Sequence, residues 1–224
     1  MRHDLLAAVP SPDRSGNMKQ REGVSVGAIL LAAGQAKRMG ENGQHKLLAE
    51  FDGVPLVRRS AIVLLAPNAS PVVAVTGHRQ GDIEEALTGL DIGTLFNPSY
   101  LTGMASSVAC GVSYPQIAEC DGVLVMLADM PGIVTEHIDS VMQAFQKSGG
   151  EAIVRASFAG KPGHPVLFPQ VLYDRLIGLS GDVGARELIA DSTLPVIMID
   201  IGPAALLDVD TPTAIIENGG VLRG

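Results

Sequence analysis

Few cysteines, a deficit of positive charge and no long apolar run set the first limits on this 224-residue chain. Cys110 and Cys120 have neither the CxxC spacing nor the company needed for a zinc cage or a disulfide framework. Both read as buried free thiols. Sixteen Lys and Arg stand against 24 Asp and Glu, a formal net charge of -8. That balance opposes attraction to nucleic acid or to an anionic membrane surface, so any anionic ligand needs a local basic cluster. No run approaches the ~20 apolar residues of a membrane span. Asp4 and the stretch Pro10 to Asp13 interrupt the one apolar patch near the N-terminus, so a signal-peptide layout is missing and a cytoplasmic protein is expected. Residues 1–23 mix Pro, Ser, Gly and charge without a period and are expected to form a mobile tail, with one domain over residues 24–224.

From residue 24 onward, short runs rich in Val and Ile alternate with stretches of helical length. VGAILLAAG, PVVAVTG, IGTLFN, GVLVMLAD, EAIVRAS, HPVLF and LPVIMIDI are each bounded by Gly, Pro, Asn or Asp. Helices are expected at about 55–66, 80–88, 103–114, 135–147, 169–178 and 183–191. Strands buried on both faces and separated by helices predict a three-layer α/β/α arrangement around a mostly parallel sheet. Ligands of such sheets sit beyond the carboxyl ends of the strands, so the residues just after each strand are the ones to inspect.

The first strand runs into LLAAGQAKRMG, followed by Lys46, a glycine-bearing basic loop of the kind that admits phosphate oxygens to backbone N–H groups. Two common phosphate sites are absent. Gly34 and Gly40 lack the Walker spacing, no Gly-Lys-Ser/Thr occurs, and GxGxxG does not follow the first strand. No Ser-His-Asp or Cys-His constellation points to a covalent nucleophile.

The loop resembles the nucleotide-binding signature of the nucleotidyltransferase superfamily that includes the molybdenum cofactor nucleotidyltransferases. NPSYLTGMASSVACGV (97–112), VLVMLADMPGI (123–133), GKPGHPVLF (160–168), GDVGARELI (181–189) and LLDVDTP (206–212) are similar, in that order and spacing, to its cytidylyltransferase branch. The guanylyl branch usually has Leu-Ala-Gly-Gly where this chain has Leu31-Ala32-Ala33-Gly34. The resemblance implies a Rossmann-like sheet and transfer of CMP from CTP to the terminal phosphate of molybdopterin, with Mg²⁺ bound and pyrophosphate released. A molybdoenzyme or its maturation chaperone would receive the product, with no nucleic acid or membrane involved. Other readings stay open: another nucleotide or phosphate acceptor, an oxidoreductase of the same fold family resembling nicotine blue oxidoreductase, or a binding protein.

Residue by residue, the resemblance assigns Leu31 to Gly34, Thr76, Gly103 and Ser106 to nucleotide contacts, and Arg38 and Lys46 to the triphosphate and catalysis. Asp129 and Asp210 would hold the metal, with Asp208 able to replace Asp210 or to stabilise the turn. His164 and Arg186 would meet the acceptor. Simpler roles compete: a plain strand-to-helix turn at Ala32 to Gly34, a helix cap from Thr102 or Ser106, a core histidine at 164 and a surface ion pair at 186. Thr135 is expected to cap the helix after Asp129. Glu41 to His45 lengthen the usual spacing before the lysine, so Lys46 reaches the site only if the insertion bulges outward; Lys37 reads as solvated, and His45 has no role.

Overall fold

A computed structural model describes residues 23–39, 44–66, 69–179 and 185–222; all but Gly23 of the expected tail lies outside them. In chain order its elements are β1 (Val26–Ala32), β2 (Glu50–Phe51), β3 (Val54–Pro55), α1 (Leu56–Leu65), β4 (Val72–Thr76), α2 (Gln80–Leu87), β5 (Gly93–Phe96), α3 (Met104–Val112) and α4 (Pro115–Ala118). Then come β6 (Gly122–Leu127), α5 (Thr135–Lys147), β7 (Ile153–Phe158), β8 (Lys161–Pro169), α6 (Tyr173–Ile177), α7 (Ala185–Ala190), β9 (Val196–Asp200), α8 (Pro212–Glu217) and β10 (Gly220–Val221).

β1 is buried along its whole length because both its faces are covered. Ile29 and Leu31 enter the apolar layer shared with α3 and α6, while Ala28, Leu30 and Ala32 enter the layer shared with α1 and α5. This explains why the strand reads as a continuous apolar run instead of an alternating one. Shortening Leu30, which is fully buried, to Ala costs about 2–5 kcal/mol.

The main sheet has the order β5-β4-β1-β6-β8-β7-β9. β1, β4, β5 and β6 are mutually parallel, and β7 pairs parallel with β9. β8 runs antiparallel to both β6 and β7, which returns β7 to the common direction. Six carboxyl ends therefore share one edge. α3 lies close on β1 because Gly111 has no side chain: a Cβ there would stand 2.8 Å from Ile29 Cδ1.

A second sheet of order β10-β2-β3 was not expected from the sequence. Its strands are two residues long, too short to show a period. Beneath it, Met39, Ala49, Phe51, Leu56, Val209 and Ile215 form a satellite core that joins the basic loop to the end of the chain.

Two further differences have local causes. The expected helix 103–114 ends at Val112, and Pro115 then starts the separate short α4. Thr135 is the first helical residue of α5 and not its cap; Val134 precedes it, with its N–H donated to His137 Nδ1 at 3.4 Å. Among the described residues no helix is long and apolar enough to cross a membrane.

Candidate active site

Each charged residue singled out around the basic loop sits next to a buried neighbour that anchors it. Arg38 precedes Met39, Lys46 precedes Leu47, Asp129 lies between Ala128 and Met130, and Asp210 follows Val209, all of these neighbours being at most 3% exposed. The hydrophobic effect thus fixes the backbone while the polar ends project over the carboxyl edge. Val209 N–H donates to the Asp129 carbonyl at 3.0 Å, which locks the DVDTP turn against the end of β6. Thr211 caps α8 by accepting from Ala214 N–H at 3.1 Å, and Pro212 occupies its first turn. The DTP triplet after Val209 is therefore a helix start that presents Asp210.

Between these segments lies a cleft of about 530 Å³, lined by Leu31, Ala33, Gly34, Lys37, Arg38, Lys46, Gly103, Ser107, Asp129 and Asp210 among others. Lys46, one of the lining residues, joins both carboxylates. Its Nζ donates to Asp129 Oδ2 and, at 2.6 Å, to Asp210 Oδ1. Arg38 Nη1 donates to the other oxygen of Asp210, also at 2.6 Å. Burial works against the Lys46 ammonium, but the charge and hydrogen bonds of Asp129 and Asp210 outweigh it and raise its pKa. The hydrogen bond from Lys46 draws the Asp210 carboxyl below its usual range, against a smaller opposing effect of burial. The lengthened loop thus delivers Lys46 to both carboxylates; Gly40 to Gly43 lie outside the described residues.

His45, which the sequence left without a role, pins that delivery. It is 3% exposed and uses both ring nitrogens: Nδ1 accepts from Leu47 N–H at 3.3 Å, and Nε2 donates to the Gly34 carbonyl at 3.1 Å. Its ring stacks on His78 with centroids 5.5 Å apart. Burial, with smaller contributions from the charges of His78, Arg79 and Lys46, lowers its pKa to about 4. The imidazole is neutral near pH 7, and its two bonds tie the turn after β1 to the one-turn helix carrying Lys46.

The other expected residues are distributed unevenly. Ala32 and Thr76 are fully buried and outside the cleft lining; Thr76 Oγ1 donates to the Leu95 carbonyl at 3.4 Å. Gly103 lines the cleft with φ +115° and precedes α3, which has no side-chain cap from either Thr102 or Ser106. Ser106 Oγ accepts from Asn97 Nδ2 and lies 2.9 Å from the carbonyls of Ser99 and Gly103, while Ser107 next to it faces the cleft. Lys37 is exposed, as expected, yet lines the cleft. His164 and Arg186 lie outside this lining. Of the cysteines, Cys120 is buried and Cys110 only half-buried, with burial raising the Cys110 thiol pKa.

Asp129, Asp208 and Asp210 can each offer an oxygen such that all three lie within 4.8 Å of one another. Asp129 Oδ1 is buried without a hydrogen-bond partner. A buried, unpaired carboxylate oxygen is costly unless something electropositive meets it, and an all-oxygen anionic set suits a hard divalent cation.

This fold is the nucleotidyltransferase fold. A nucleotidyl transferase from Methanothermobacter thermautotrophicus superposes with a TM-score of 0.73 at 21% identity, covering 87% of this chain and 96% of that one. A manganese complex of Rv0371c from Mycobacterium tuberculosis superposes with a TM-score of 0.67 at 21% identity, covering 88% and 98%. By sequence, the purine catabolism protein PucB of Bacillus subtilis is 26% identical over 199 residues, spanning 82% of this chain and 91% of its own length. Residues 28–196 match the MobA-like NTP transferase domain. The chain belongs to that family and is a nucleotidyltransferase.

Proposed function

We propose that the protein transfers CMP from CTP to the terminal phosphate of molybdopterin and releases pyrophosphate. The observation that carries nucleotidyl transfer is the pair of cations, Arg38 and Lys46, set against Asp129 and Asp210 over a small-residue turn. The cytidylyl preference is supported by Ala33 in Leu31-Ala32-Ala33-Gly34 and by the GHPVLF stretch.

In this reading, backbone groups of Ala33 and Gly34 meet the nucleotide, where larger side chains would block its approach. Leu31 and Gly103 form the walls beside it, with Ala32, Thr76 and Ser106 holding those walls from behind. Lys46 exchanges a carboxylate contact for a triphosphate oxygen, and Arg38 supports it from the exposed side; both offset charge that moves onto the leaving group. An acceptor phosphate oxygen attacks the α-phosphorus, the bond from that phosphorus to the bridging oxygen breaks, and pyrophosphate departs. A phosphate monoester is already anionic near neutrality, so no side chain must remove a proton. His45 is unsuited to that task, since both its nitrogens are engaged. Asp129 and Asp210, with Asp208 in reach, would hold Mg²⁺, which supplies Lewis-acid charge to the phosphates.

Titration calorimetry with CTP, GTP, ATP and UTP in Mg²⁺, followed by a pyrophosphate assay with molybdopterin, tests the reading. Tightest binding is expected for CTP, with pyrophosphate released only when molybdopterin is present. Preference for GTP would overturn the base assignment, and binding of no nucleotide would overturn the transferase mechanism.

A further inference from the structure

The carboxyl edge continues past the nucleotide cleft onto β8 and β7, where a charged residue interrupts an apolar strand. Arg155 follows the fully buried Ile153 and Val154. It stands opposite Val166 of β8, which stands in turn opposite Val125 of β6. Val125 and Val166 share an apolar layer with Leu31 and Leu127, which line the cleft. Paired residues share a face, so Arg155 emerges on the same side of the sheet as the nucleotide cleft.

Its Nη2 donates to the Gly163 carbonyl at 3.2 Å, which lays the guanidinium along Gly163 and His164. Arg155 Nε and His164 Nδ1 are both buried without a partner. Among the described residues neither Arg155 nor Arg186 of α7 pairs with a carboxylate. Arg186 stands on the same side of the sheet, since Leu188 of α7 belongs to the apolar layer that holds Val166, and after burial the charge of Arg186 is what lowers the Arg155 pKa. His164, neutral near pH 7 with a pKa lowered to about 4 by burial and then by Arg155, also feels the charge of Asp208. Asp208 belongs to the carboxylate trio beside the cleft. The arginine pair therefore adjoins the place where an acceptor must approach.

We propose that Arg155 forms the floor, and Arg186 the rim, of a seat for the phosphate group of the acceptor. This rests on the nucleotidyl-transfer reading and adds to it a residue that sequence motifs did not single out. Two guanidinium groups on one side of the sheet, paired with no carboxylate among the described residues, repel each other, and one phosphate relieves that repulsion while accepting their N–H groups. The His164 ring donates a hydrogen bond to the Val125 backbone, which leaves the unpartnered Nδ1 as a lone-pair site that needs a donor. The ligand class that satisfies all three is a phosphate monoester carrying an O–H or N–H group nearby.

The probe is inorganic phosphate, titrated by calorimetry into protein saturated with CTP and Mg²⁺ so that the triphosphate region is filled. A saturable phosphate site is expected. Arg155→Gln should raise the phosphate Kd by about tenfold or more, the range for loss of a charge-assisted hydrogen bond, and leave the CTP Kd within about twofold. Arg186→Gln, at an exposed helical position, should weaken phosphate in the same direction and serves if Arg155→Gln fails to fold. Unchanged phosphate binding in a folded variant would overturn the seat, as would CTP-binding wild type with no saturable phosphate site. Phosphate binding that depends on Arg155 in a protein that binds no nucleotide would uphold the seat while the transferase mechanism fell.

Discussion

The two edges of the main sheet carry cavities of similar size and opposite chemistry. At the amino edge a cavity of about 620 Å³ lies among Val24, Asp121, Gly150, Glu151, Pro169 and Leu194, among others, with no Lys, Arg or His in its wall. Its central carboxylate is satisfied: Asp121 Oδ2 accepts from Ser25 N–H at 2.8 Å and from Ser25 Oγ at 2.6 Å. At the carboxyl edge the cavity is smaller, about 530 Å³, and its polar groups are incompletely satisfied. Asp129 Oδ1 in its lining is buried without a partner, as are His78 Nδ1, Arg155 Nε and His164 Nδ1 outside that lining, whereas near Asp121 only the Tyr173 hydroxyl is among the described residues. Volume does not separate the two edges, but unmet hydrogen-bonding capacity does, because such groups are tolerated where a ligand completes them.

The sharpest break in this contrast comes from removing the unpaired oxygen. Asp129→Asn should lower nucleotide-dependent pyrophosphate release by roughly 100- to 1,000-fold, the scale for losing one electrostatic element of a transition state. Comparable turnover in wild type and variant would show that the unmet oxygen has no functional meaning.

Acid should reach the carboxyl edge through His45. Its folded pKa, about 4, lies below the ordinary value of 6.5. A lowered value means that the unfolded chain takes up the proton first, so the stability contributed by neutral His45 is complete above pH 6.5 and lost as pH falls towards 4. Denaturant midpoints between pH 7 and 4 should decline less in His45→Asn than in wild type. Parallel declines would remove His45 as the cause.

The smallest effect is expected at the amino edge. Asp121→Asn removes the charge behind the Ser25 clamp and should cost about 1 kcal/mol of stability, read as a modest drop in thermal midpoint, with pyrophosphate release unchanged. A loss of activity there would abolish the distinction between the edges.

Much of this asymmetry is legible in the residues. Val and Ile runs ending in AAG and LAD announce two of the strands and the edge where their polar ends gather, and DVD follows the last strand of the main sheet after a short one-turn helix. The reversal of β8 is not announced, because KPGHPVLFP is apolar and buried in its second half and reads alike in either direction. His45 escaped notice because its two bonds join Gly34 and Leu47 across an insertion, a relation that exists only after folding. Arg155 looks like an irregularity in EAIVRAS until strand pairing puts it beside Gly163 and opposite Val166.

The span of chain between Lys46 and Asp210, 164 residues, also sets a schedule. A ribosome working at about 5–20 residues per second takes roughly 8–33 s to add that much chain. Through that interval the newborn protein carries a cationic loop without the second of the two carboxylates that will hold it. A fragment released early keeps the positive charge and lacks Asp210, so only a chain extended past Asp210 can gather the groups that confront a triphosphate.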